Sequence, residues 1–537
     1  MKDISKPIGR DSWTSRDYGV VCRHPGCQLS RDAAIQMILP GVLALVGRSI
    51  RVESRSWQTH LIRGTLTASI YASICVLIVN AAWFGAPGLR FFYGIAYLNL
   101  LFLSLMGISV FSTTISEEKE EDTLGLMLMA GISPLGILIG KSGSRMIETL
   151  ILIAVQYPFT LLAVTMGGVT QLQVSAAYCG LSAYMFFLAG VGLLCSTICS
   201  SNRKAGAWMT FIISIYVILP WTAAELQSRL IKASIQLPGI TDFLNFVAGI
   251  SIFQQMGMIL TSGYSDDRLT WQVISNVGIG AISFLAAWGL FGVGSRQPST
   301  EPLSRGMVTR IRGRLPFLSP GRVWRQPFLW KDFYFVSGGI GMMPVRLLFC
   351  GALLLVSMLP SHSVLFDISF YQVFLSLALV IEAGRMMACS VNDEIRGRTL
   401  AALMMLPRSN LQIIYSKYAG ALLGLWPALL VEAATLMTAE GCRNFCWVAG
   451  EPLGFCVATF FLLIPNLAAL LATYVRWGAV TLSVALVIAM HFGMMMSIQP
   501  VSAGDSVGLL TGLAVLACCF ACHIGIASRI KTLSAST

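Results

Sequence analysis

FFYGIAYLNLLFLSLMGISVFSTTI, Phe91–Ile115, is an apolar run long enough to cross a bilayer, and SEEKEEDTLGLMLMAGISPLGILIGK, Ser116–Lys141, follows it directly. The same order returns 276 residues on, with an apolar run over 368–391 followed by NDEIRGRTLAALMMLPRSNLQIIYSK, Asn392–Lys417. Aligned without a gap, the two charged stretches share Glu118/Glu394, Thr123/Thr399, Leu124/Leu400, Met129/Met405, Ser133/Ser409, Leu135/Leu411, Ile137/Ile413 and Lys141/Lys417, and Glu117/Asp393 keeps an acid in register. About two or three matches are expected by chance in such a window. The chain reads as one membrane module used twice.

The rest of the composition fits that reading. Of 537 residues, 55% are hydrophobic and only 12% charged, and the mean hydropathy is +0.73. That is too little charge to coat the water-facing surface of a soluble protein of this size. Apolar runs near 20 residues recur at 60–83, 91–115, 143–166, 174–199, 205–227 and 272–294, then at 342–360, 368–391, 412–438, 452–474, 477–498 and 506–528. The expected fold is therefore all-α and polytopic, with twelve transmembrane helices in two sets of six. A barrel would show short alternating strands instead.

Lys and Arg set the orientation. They are dense before the first span (Lys2, Arg31, Arg48, Arg51, Arg55, Arg63) and in the central connection (Arg305, Arg310, Arg312, Arg314, Arg322, Arg325, Lys331), and absent from 167–173, 361–367 and 499–505. Both termini and both repeated stretches then fall on the cytoplasmic side of a prokaryotic inner membrane. The net charge of +12 becomes a matter of topology and anionic lipid, not of nucleic-acid binding. Five segments follow: 1–58, a cytoplasmic segment with an interfacial helix and no cleavable signal peptide; 59–295, the first six-helix module; 296–341, a basic connection; 342–528, the second module; and 529–537, a cytoplasmic tail. Ile35–Val46 with the basic residues after it, and WRQPFLWKDFYF (Trp324–Phe335), read as interfacial helices ahead of each module, simple anchors or parts of the module itself.

Each repeated stretch has the logic of a short helix parallel to the membrane, a turn, and a long span. In the first, acids open the helix (Glu117, Glu118, Glu120, Glu121), Leu124, Met127 and Leu128 line one face, Ser133-Pro134 caps the next helix, and Lys141 marks its entry into the membrane. On these residues the chain resembles the membrane subunits of ATP-binding-cassette exporters of the type-2 permease family, whose members carry an acidic pair, a Thr-Leu, an apolar stretch, a Pro or Ser turn and a Lys after the second span. The resemblance extends over most of 48–528 and is better in the first copy, because Arg396, Arg398 and Arg408 replace Glu120, Asp122 and Ile132 in the second. It implies that each stretch is a coupling helix pressed against an ATPase subunit through Glu117, Glu118, Thr123 and Lys141, and through Asp393, Glu394, Thr399 and Lys417. It also implies that ATP and Mg are bound by a separate P-loop ATPase, two copies per chain, with room for an accessory extracytoplasmic protein. No catalytic residue, cofactor or metal is then expected in this chain. A non-transporting scaffold that docks a partner through the duplicated helix is the competing reading.

Other motifs weigh less. GILIGKS, Gly136–Ser142, has too few residues between its glycines for a P-loop, and Ser337-Gly338-Gly339 reads as a flexible connection. Cys519, Cys522 and His523 spell a haem-attachment motif but sit inside a predicted span. Cys22, His24 and Cys27 are one ligand set without a second, and Cys442 and Cys446 are candidates for a disulfide on the outer side. Glu148, Glu382 beside Arg385, Glu432 and His491 are ionisable residues within spans, where a charge costs about 3 kcal/mol. They read as the translocation path or as polar clamps between helices, and Glu432 aligns at the repeat offset with Gln156. Residues 243–260 are either re-entrant or spanning.

Overall fold

In a computed structural model the residues described are 46–49, 51, 60–71 except 62 and 69, 87–232, 238–294 except 262 and 266, 322–358, 368–435 except 398, single positions between 437 and 449, 450–490 except 476, 477, 481, 485, 488 and 489, and 504–536. Among them there is no strand. The first half contains α1 (Pro87–Ser109), the short α2 (Ser116–Glu120) and α3 (Thr123–Met129), α4 (Pro134–Ala154), α5 (Tyr157–Thr165), α6 (Gln171–Ile198), α7 (Asn202–Lys232), α8 (Pro238–Ala248), α9 (Ile252–Ile259) and α10 (Trp271–Gly294). The second contains α11 (Pro327–Phe335), α12 (Gly339–Met358), α13 (Ile368–Arg396), α14 (Leu400–Met404), α15 (Asn410–Leu423), α16 (Trp426–Thr435), α17 (Pro452–Leu471) and α18 (Gly504–Ser536).

Seven of the described helices are long and apolar enough to cross a membrane, and up to nine if each of two bent pairs is one span. This is fewer than the twelve expected, for identifiable reasons. The expected spans at 60–83 and 477–498 lie largely outside the described residues. At 205–227 the helix forms as part of α7, with Pro220 inside it, and the side chains described without interruption run only from Lys204 to Val217. Within 412–438 the chain bends by 62° between α15 and α16, and ahead of 342–360 it bends by 52° between α11 and α12. Residues 243–260 divide into α8 and α9, of 11 and 8 residues, and neither alone is long enough to cross. Helix α18 continues through the expected tail to Ser536.

Small residues set the tightest packing. Gly190 of α6 and Gly280 of α10 lie back to back, so that a Cβ on Gly190 would sit 2.2 Å from the Gly280 carbonyl oxygen. A capping box of Thr170 and Gln173 starts α6, the helix at the centre of the first half. Within that half, fully buried Tyr184 shares a 2.9 Å hydrogen bond with Ser104 and stacks on Tyr216, whose hydroxyl donates to Ile250 O and accepts from Ile252 N. The pair α8 and α9 is thereby fastened inward. The two halves meet where Leu101 and Leu105 of α1 pack among Val380, Ile381, Phe460 and Ile464.

Candidate functional site at the repeated stretches

Hydroxyls of Ser109, Ser112, Thr113 and Thr114 return to carbonyls three or four residues back and bring α1 to its end. The acidic run then opens α2, with Glu117 and Glu118 in its first turn. Asp122, in the left-handed region at φ 56°, turns the chain into α3, and Gly131 at φ 79° turns it again toward α4. Ser133 caps α4 by accepting from Gly136 N at 3.1 Å. This doubling back brings Glu118 to Lys141. The Glu118 carboxylate pairs with the Lys141 ammonium and accepts from Thr123 Oγ1, while Arg145 holds Glu117 at 2.9 Å. Burial alone would raise the Glu118 carboxyl, but bonds from Lys141 and Thr123 and the Arg145 charge outweigh it and hold it below the ordinary carboxylate range.

The second copy makes the same bonds. Thr399 Oγ1 donates to Glu394, Lys417 Nζ lies 3.0 Å from Glu394, and Ser409 caps α15 by accepting from Gln412 N at 3.3 Å. All six residues were singled out by their identity across the repeat, and the structure joins each set of three. The surroundings differ. Asp393 and Glu394 close the last turns of α13 instead of opening a new helix, because no break precedes them, and the short helix begins at Leu400. Lys417 also reaches Asp332 of α11 at 3.0 Å, Lys331 of α11 reaches Glu394 at 2.6 Å, and Ser390 donates to Asp332. Asp332, Glu394 and Lys417 are all buried. Helix α11 comes this close because Gly420 leaves room: a Cβ there would meet the Leu329 carbonyl oxygen at 2.3 Å. The interfacial helix is thus part of the second assembly, not a free anchor. Ser337-Gly338-Gly339 is not a flexible connection but a tight turn, with Ser337 buried and both glycines at positive φ.

The first copy is tied elsewhere. Lys119 is buried and donates to the carbonyls of Ser196 at 3.3 Å, Thr197, and Cys199 at 3.1 Å, where α6 ends. Burial pushes its ammonium down to about 8, against a small opposing effect of Cys199. Glu120 accepts from Asn202 N at 2.8 Å and from Asn202 Nδ2 at 3.1 Å, and so caps α7. Asp332 stood out only as a charge of the Trp324–Phe335 segment, and Lys119, Asn202 and Ser390 not at all. The only signal was a lone Lys inside an acidic run, since the offset position is Ile395.

Both stretches present an apolar tip. Met129 is 79% exposed, with Leu126 beside it, and the offset residue Met405 is 85% exposed, with Leu406 beside it. GILIGKS, by contrast, lies wholly within α4 and forms no loop. Cys519 and Cys522 are buried on α18 among apolar side chains, and the His523 ring packs against Tyr415. Among the described residues no group of His, Cys, Asp and Glu could hold a metal ion. Cys22, His24, Cys27 and His491 lie outside the described residues.

Of the expected path residues, Glu148 is 4.0 Å from Arg63, and Glu382 is 2.8 Å from Arg346 and 3.7 Å from Arg385. Glu432 accepts from Ser376 Oγ at 2.7 Å, and Gln156 donates to Leu152 O at 3.3 Å. Glu382 and Glu432 both lie in electrostatic range of Cys350, while Glu148 and Gln156 belong to the first half. No known protein family's sequence profile matches the chain, and no curated protein sequence does.

Proposed function

We propose that the chain is the membrane-spanning permease component of an ATP-binding-cassette exporter of the type-2 kind, built as two six-helix modules in a prokaryotic inner membrane and driven by a separate P-loop ATPase. The observation that carries this reading is the acid–Thr–Lys trio formed identically in both copies, each holding a bent stretch whose apolar tip, Met129 or Met405, faces outward. A duplicated, rigidly braced knob suits a duplicated partner. In this reading two ATPase subunits close on ATP, press on both tips, and move the helices that follow Lys141 and Lys417. Polar residues within the spans, Glu148, Gln156, Glu382, Glu432 and His491, then serve the passage of substrate.

The test uses the exposed tips, which can be changed without disturbing buried contacts. Affinity purification of the full chain from its native membranes is expected to bring a P-loop ATPase with it, and the double variant Met129→Glu, Met405→Glu is expected to lose that ATPase while elution and thermal stability stay unchanged. Retention of the ATPase by the double variant, or co-purification of a partner that binds no nucleotide, would favour the scaffold reading.

A further inference from the structure

The 62° break between α15 and α16 leaves a helix carbonyl without its usual donor, and Arg346 of α12 supplies one: Nη1 donates to Gly424 O at 3.1 Å. The same guanidinium binds Glu382 through Nε at 3.2 Å and Nη2 at 2.8 Å. Arg385 faces Glu382 as well. Both nearby cations are therefore directed at one carboxylate.

Glu432 of α16 shares this neighbourhood, with Cys350 of α12 in electrostatic range of Glu432, Glu382 and Arg346 alike. Its Oε1 accepts from Ser376 Oγ at 2.7 Å, but its Oε2 is buried and meets no hydrogen-bond partner. A carboxylate in a low-dielectric interior requires donors on both oxygens or a cation of its own. Among the described residues Glu432 has one donor and no cation. A neutral acid leaves only an unpaired neutral oxygen, a far smaller penalty than an unpaired charge.

The residue at the repeat offset in the other half is a neutral amide. Gln156, 276 residues earlier, is buried and likewise has one bonded atom, Nε2, and one bare buried oxygen, Oε1. Gln156 sits at the break between α4 and α5, whereas Glu432 lies within α16.

We propose that Glu432 is a proton-binding site inside the membrane portion of the second half, occupied in this conformation. When the site opens, the O–H bond of the acid breaks, the proton passes to a water molecule entering at the break, and a carboxylate remains; the reverse transfer restores the acid. No oxidant, metal or nucleotide takes part. The site rests on geometry alone, independent of the permease reading.

Infrared spectroscopy of the purified full chain in lipid nanodiscs tests it. At neutral pH the wild-type spectrum is expected to contain a protonated-carboxyl C=O band that shifts in D2O, disappears in Glu432→Gln and survives in Glu382→Gln. If Glu432→Gln instead removes intensity from the ionised-carboxylate bands and leaves the acid region unchanged, the proposal is wrong. Should Glu432→Gln fail to fold, Ser376→Ala replaces it: loss of the single hydrogen bond is expected to move the acid band, and an unmoved band overturns the proposal. Neither result depends on an ATPase partner.

Discussion

Lys417 and Lys141 occupy the same place in the repeat and do unequal work. Lys417 neutralises two buried carboxylates, Asp332 and Glu394, whereas Lys141 serves Glu118 at a site where its own side chain is 22% exposed. Removing one partner of a buried ion pair costs about 3–5 kcal/mol, because the charge left behind has nothing to replace water. Lys417→Met is therefore expected to lower stability by about that much, and Lys141→Met by about 1 kcal/mol, as read by thermal unfolding in detergent. Glu118 adds a pH dependence. Its carboxyl titrates lower folded than unfolded, so its contribution is complete above the ordinary carboxylate range and disappears as pH falls through the folded value. A Glu118→Gln variant is expected to be less stable than wild type at neutral pH and to converge with it in acid. Lys119 acts at the other end of the scale. Its folded value near 8 lies below the unfolded 10.5, so between them the unfolded chain holds more protons and the native state gains from this group as pH rises. The Lys119→Met variant should lack that rise.

Among the elements, both repeated stretches are built from one short list of devices: a Ser cap, a short helix, and a pair of small or turn-forming residues. Ser133→Ala and Ser409→Ala are each expected to cost about 1 kcal/mol, the usual worth of an N-cap. Gly420 is a sharper test. An added methyl there would strike the backbone of α11, so Gly420→Ala is expected to cost about 1–3 kcal/mol and to expose Trp330 and Phe333 to collisional quenching, while Gly94→Ala, with open space around it, should be silent. These elements were unevenly legible. Identity across 276 residues revealed Glu118, Thr123 and Lys141 together with their counterparts, because duplication repeats what the geometry needs. It was silent on Lys119, Asn202, Asp332 and Ser390, since each copy acquired its own tether and the partners lie 58–86 residues apart in the chain. The break at Gly424 was partly hidden. Pro427 at the start of α16 marks the end of the helix before it, but Arg346 and Glu382, which answer the freed Gly424 carbonyl, lie on two other helices, and hydropathy averages over such bends.

Across the whole molecule, the apolar runs were legible as helices, and their number was less so. Periodicity cannot tell a straight span from a bent one, as the 62° break between α15 and α16 shows. Orientation is open to direct measurement. Cys442 and Cys446 are exposed, and a membrane-impermeant maleimide is expected to label them from outside the cell, while Met129→Cys and Met405→Cys should label only in inverted vesicles. Labelling of the two introduced cysteines from opposite sides would separate the copies and remove the basis for a shared partner.

The unlike tethers of the two copies carry a mechanical meaning. The first is pinned through Lys119 and Glu120 to the ends of two long shafts, α6 and α7; the second is pinned through Asp332 and Lys331 to a short slab, α11. Equal forces on Met129 and Met405 would emerge as different strokes, a levering of shafts on one side and a tilting of the slab on the other. In the proposed reading, fusion into one polypeptide would keep those two strokes paired, one of each in every molecule, an arrangement that two identical subunits would not build.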